Sequence, residues 1–122
     1  MRTHKDLDVW EQSITLAKEV YLMTSHYPKE EIYGLVAQMR RAAVSIPSNI
    51  AEGAARQGNK EFLHFLYTAL GSASELDTQL EISREIDVGD RGEIGRVQES
   101  LAQASKMLQG LIRSVKQRPS TV

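Results

Sequence analysis

Cysteine is absent from this 122-residue chain, which excludes disulfides, thiolate nucleophiles and cysteine zinc sites. Proline occurs only three times, at Pro28, Pro47 and Pro119, leaving long stretches free of any helix breaker. The longest segment without Asp, Glu, Lys or Arg is Phe62–Ser74, short of the roughly 18 apolar residues a membrane span needs. The start, MRTHKD, is followed by no apolar run, so a secretory signal is not expected and the cytoplasm is the expected compartment. Excess charge is lacking too. The formal net charge of −1 gives no whole-molecule field toward nucleic acid or anionic membrane.

What is present is apolar periodicity at the helical step, with no segment that alternates with a period of two. The spacing predicts an all-α fold, an antiparallel up-down-up-down four-helix bundle in a single domain, with helices over about 6–26, 29–56, 59–86 and 90–118. Asp6 is the expected cap of helix 1. That helix carries two apolar seams. One is Leu7, Trp10, Ile14, Ala17 and Tyr21; the other, about 100° away, is Val9, Leu16, Val20 and Met23. Together they cover more of the circumference than an isolated bundle needs. The second seam is therefore either deep core or a contact between copies, and the abundance of apolar groups favours the contact.

Helix 2 holds the least ordinary stretch, QMRRAAVSIPSNIAEGAARQG at 38–58. Val36, Met39, Ala43, Ile46 and Ile50 share one face, and both faces keep phase across Pro47, which predicts one kinked helix. Arg41, Ser45, Ser48, Asn49, Glu52 and Arg56 form a narrow polar stripe opposite. As i,i+3 and i,i+4 neighbours they suit a paired polar seam between subunits and can satisfy the carbonyl of Ala43 that Pro47 frees. The alternative is a phosphate-binding surface with Arg40 and Lys60. Ala42, Ala51, Gly53, Ala54 and Ala55 would admit another backbone, and Gly58 reads as the helix stop.

Asn59 is the expected cap of helix 3, whose seam is Phe62, Leu66, Ala69, Ala73, Leu76 and Leu80. Asp90 to Glu93 reads as a capping box opening helix 4, with Ile94, Val97, Leu101, Ala104, Leu108, Leu111 and Val115 as its seam. Residues 119–122 are expected to be disordered.

Chemistry-bearing constellations are few. Glu61 and His64 have the spacing of a di-iron helix, but the motif occurs once, where such sites need two and further glutamates; no metal or cofactor is expected. Glu52 and Glu75 could form a carboxylate pair across helices 2 and 3, but nothing places a substrate between them, so no enzymatic activity is expected. Charge is unevenly spread. Residues 75–93 carry seven acids and two bases, and 96–122 five bases and one acid. Lys106, Arg113, Lys116 and Arg118 are either a solvated face or a basic rim able to hold phosphates, a capacity that repetition in a ring would multiply.

Several motifs together resemble the bacterial 23S rRNA intervening-sequence protein family. They are Leu7-x-Val9-Trp10, Tyr33-Gly34-Leu35, Gln38-x-x-Arg41-Ala42-Ala43-x-Ser45-Ile46-Pro47-x-Asn49-Ile50-Ala51-Glu52-Gly53, Glu61-Phe62-x-x-Phe65-Leu66 and Gly71-Ser72-x-x-Glu75-Leu76, spread over residues 6–118. The resemblance implies a four-helix bundle assembled as a homopentamer, often a barrel with a central channel. It also implies members encoded within insertions in large-subunit ribosomal RNA genes. A relative, the accessory protein of diversity-generating retroelements, is a basic pentamer that binds nucleic acid and a reverse transcriptase. The expectation is thus a non-enzymatic, self-assembling scaffold that binds a partner protein, or alternatively a ring that binds structured RNA; no membrane partner is implied.

Overall fold

A computed structural model describes residues 3–119, the Asp6 side chain apart. Four α-helices, α1 (Asp8–Thr24), α2 (Ala37–Ala54), α3 (Asn59–Glu85) and α4 (Arg91–Lys116), account for most of them, with no strand among the described residues. Each helix touches the next, and α1 touches α4, closing the bundle. Cross-contacts pair the end of one helix with the start of its neighbour. Arg40 reaches Thr24, Gly53 lies against Phe62, His26 meets Glu93, and Asn59 bonds Pro119, as antiparallel neighbours do. No helix is long and apolar enough to cross a membrane among the described residues.

The helical seams read from the sequence line one core. Met39, Ala43, Ile46 and Ile50 of α2 are buried, as are Leu66, Ala69, Leu76 and Leu80 of α3. In α4 the seam steps from Leu108 to Ile112, which is buried, while Leu111 is only half-buried. Both positions lie three or four residues from Leu108, so periodicity alone does not choose between them.

The seams of α1 exchange places relative to expectation. Val9, Leu16, Val20 and Met23, read as contacts between copies, are buried inside this one chain at 0–4% exposure. They are core. The other seam faces outward, with Ile14 and Tyr21 exposed and Leu7, Trp10 and Ala17 half-buried. Both seams have apolar side chains at helical spacing; what separates them is that α2 and α4 flank the Leu16 face and close over it.

Other local expectations are revised in detail. A short 3-10 turn at His4–Asp6 precedes α1, and Leu7, with no side-chain cap, occupies the position expected of Asp6. Residues Lys29–Glu31 form a second 3-10 turn and Ile32–Val36 a π-helix, so α2 is entered by a tight coil and then a wide one. α2 continues through Pro47 without interruption. Gly58 caps α3 in an extended conformation instead of stopping α2, and Asn59 is the first helical residue. Asp90 does cap α4, accepting from the Glu93 N–H at 2.9 Å, but the Glu93 carboxylate turns to His26. Residues 120–122, whose disorder was expected, lie outside the described residues.

The two connections at the far end are tied by Tyr27. Its buried hydroxyl donates to Ser83 Oγ at 2.9 Å, and Ser83 in turn reaches the Met39 sulfur. Burial pushes the Tyr27 phenol above its usual pKa, partly opposed by the Ser83 hydrogen bond and reinforced by the Glu93 charge. Because folding raises this pKa, the contribution is complete below the unfolded value of about 10 and is lost as pH rises through the folded value. Chemical denaturation of wild type and Tyr27→Phe should therefore show a gap of about 1 kcal/mol at neutral pH, set by the lost buried hydrogen bond. That gap should shrink at alkaline pH. A gap independent of pH up to the alkaline limit would show that the phenol is not held neutral by the fold.

Candidate functional site

At the end of the bundle where α2 gives way to α3 and where α4 stops, a cleft of about 650 Å³ opens. It is built by Gln57 and Gly58, the first turns of α3 to Leu63, the end of α4 and Arg118 just beyond it. Asn59 sets one wall. Instead of capping, its side-chain amide donates to the Pro119 carbonyl at 3.1 Å, holding the chain beyond α4 against the start of α3. Lys60, Lys116 and Arg118 line the cleft with one acid, Glu61. None of these three cations has an ion-pair partner among the described residues. Aromatic faces orient two of them, with the Lys116 ammonium 5.4 Å from the Tyr67 ring centre and the Arg118 guanidinium 5.9 Å from that of Phe62.

The remaining expected phosphate contacts lie elsewhere. Arg113 is exposed one turn before Lys116 and does not line the cleft. Lys106 is exposed ten residues before Lys116, roughly 15 Å along α4. Arg40 is at the opposite end and engaged there. Its Nε donates to Thr24 Oγ1 at 2.9 Å, its Nη2 to the Tyr21 carbonyl at 3.3 Å, and it stacks on Tyr21. A cation at the C-terminal end of α1 also complements that helix's dipole.

The polar stripe of α2 divides into three parts. Ser45 and Asn49 join α3: Asn49 Nδ2 donates to the Ser45 carbonyl at 2.8 Å and to Ser45 Oγ at 2.9 Å, and Ser72 Oγ donates to Ser45 Oγ at 2.9 Å. Glu52 accepts from Arg56 at 2.8 Å, and Arg56 also lies over Phe65. Arg41 and Ser48 point to solvent. The carbonyl that Asn49 satisfies is that of Ser45, not the Ala43 carbonyl freed by Pro47. The backbone admitted by Gly53 is that of α3, where a Cβ would stand 3.2 Å from the Phe62 carbonyl oxygen.

Ser45 faces Ser72 and Gly53 faces Phe65, so Glu52 and Glu75 are displaced by roughly 15 Å along the helices and do not converge. No cluster of three metal-ligating residues occurs among the described residues, and His64 is an exposed side chain edge-on to Phe65.

Comparison with known families matches residues 5–110 to the 23S rRNA-intervening sequence protein. The chain belongs to the 23S rRNA-intervening sequence protein family. Among solved structures it is similar to a protein of unknown function from the S23 ribosomal protein family of Bacteroides thetaiotaomicron VPI-5482. The two share 24% identity with a TM-score of 0.78, covering 86% of this chain and 95% of that one, which establishes the common fold. No curated protein matches. Within this member of the 23S rRNA-intervening sequence protein family, the family match stops at residue 110, so Lys116 and Arg118 lie beyond the matched segment. The cleft was half-visible in the sequence. Its cations stood out as charge, but the partners Gly58, Asn59 and Val115 carried only helix-terminus or core signals.

Proposed function

We propose that this protein is a non-enzymatic cytoplasmic bundle that assembles with copies of itself, and that the outward seam of α1 is where copies meet. The observation that carries this reading is the exposure of Ile14 and Tyr21, 43% and 44%, on the stripe that also holds half-buried Leu7, Trp10 and Ala17. Val44 of the adjoining helix α2 is 42% exposed. Aligned apolar groups left in water favour a partner surface. The family resemblance implies that the partner is the chain itself, in a homopentamer. A non-enzymatic role accords with a Glu52 held by Arg56 and remote from Glu75. Ile14→Glu should leave the helical circular dichroism unchanged, since position 14 is open in the single chain, yet lower the sedimenting mass. The emission of Trp10, on the same seam, should shift to the red. A variant that sediments with the wild type would remove this seam from the contact.

A second reading is favoured by three cations around one cleft that have no ion-pair partner among the described residues. In it the assembled protein holds phosphates of structured RNA, in keeping with a family named for a ribosomal RNA element. Three phosphate contacts predict that log K falls with log salt at a slope of about −2 to −3 per occupied cleft. Reversing charge at Lys60, Lys116 and Arg118 should flatten that slope. Binding unaffected by salt or by these changes would exclude the cleft.

A further inference from the structure

We infer that the cleft between the start of α3 and the end of α4 is a site for a phosphate monoester carried on a nucleotide, either free or at the end of an RNA strand. The inference rests on the second reading above and narrows it from backbone phosphates to a terminal one.

Charge and shape both point this way. Lys60, Lys116 and Arg118 against Glu61 give the cleft a net charge of +2. A phosphodiester carries one negative charge, whereas a monoester carries about −1.5 to −2 at neutral pH and offers three acceptor oxygens. The cations are gathered, not strung out. A groove that tracks a strand spaces them along its length, yet on α4 Lys106 stands roughly 15 Å from Lys116 and outside the cleft.

The volume of about 650 Å³ falls within the roughly 300–1,000 Å³ usual for small-ligand sites, more than a lone phosphate fills. Leu63 supplies apolar surface for the remainder, a sugar or base. Lysine and arginine provide donors only, so this wall suits an acceptor-rich group. The first turn of α3 adds to them, because Gly58 gives it no side-chain cap and its N–H groups face the same end. Asn59, by contrast, has its amide engaged by Pro119 and serves as wall instead of ligand.

The test compares a short RNA bearing a 5′-phosphate with the same RNA bearing a 5′-hydroxyl, by fluorescence anisotropy of a 3′ label, using the full chain. AMP and adenosine are titrated separately by calorimetry. The phosphorylated RNA should bind about tenfold more tightly than its twin, the effect of one strong charge-assisted contact set. AMP should bind and adenosine should not. The exposed pair Lys116→Gln and Arg118→Gln should abolish the preference, and Lys106→Gln should retain it, with circular dichroism verifying that both variants fold. Equal affinity for the two RNAs without AMP binding would overturn the inference while leaving RNA binding in place. AMP binding without RNA binding would uphold it and remove the RNA reading. Failure of every ligand to bind would remove both.

Discussion

Replacing Gly53 with alanine should destabilise the protein by about 2 kcal/mol, even though alanine is the better helix former. The sign is a contest between two effects. In the last turn of α2 the substitution gains at most about 1 kcal/mol of helix propensity. Against this, the added Cβ would sit 2.8 Å from Phe65 Cβ and 3.2 Å from the Phe62 carbonyl oxygen. Neither neighbour is the free end of a side chain. Both are fixed to α3, so α2 and α3 must separate, disturbing the Ser45–Ser72 contact and Ile50 in the core. Gly71 provides the internal control. It lies in the middle of α3, where a Cβ meets nothing within 4 Å. Gly71→Ala should therefore stabilise by up to about 1 kcal/mol. Thermal unfolding should move in opposite directions for the two variants. A common direction would show that propensity, not the α2–α3 approach, governs Gly53.

Gly89→Ala should cost more, about 3 kcal/mol, because two penalties act together. Gly89 has φ of +85°, a conformation that costs an L-residue about 1–2 kcal/mol. Its added Cβ would also stand 2.5 Å from Tyr27 Cε1 and 2.9 Å from Cζ. The ring has nowhere to go. It is 7% exposed, and its hydroxyl is bonded to Ser83. Tyr27→Ala removes the clash but not the backbone strain, so the double variant should be less destabilised than the sum of the singles by about 1–2 kcal/mol. Additive costs in a denaturation cycle would mean that Gly89 is required for its backbone alone.

These two glycines mark where sequence reading gives way to three dimensions. Helix existence and the seams of α2 and α3 were legible, because buried apolar groups must recur at the helical period whatever they face. Asp90 as a cap was legible for the same local reason. The allocation of the two α1 seams was not, since Leu16 and Ile14 differ only in which neighbours close over them. Ile112 in place of Leu111, the π-helix at Ile32–Val36 and the bond from Tyr27 to Ser83 depend likewise on groups distant in sequence. For the candidate site, charge was visible but convergence was not. Of Arg40, Lys60, Lys106, Arg113, Lys116 and Arg118, three share a cleft, and Arg40 is drawn to the other end by Thr24 and Tyr21.

The proposed assembly requires α1 to bury one apolar seam within its own chain and to offer the other to a second copy. Sedimentation equilibrium of the wild-type protein across the micromolar range measures this directly. The predicted result is a single closed multiple of the 13.7 kDa chain, fivefold if the family resemblance extends to assembly. A mass of 13.7 kDa throughout that range would contradict it.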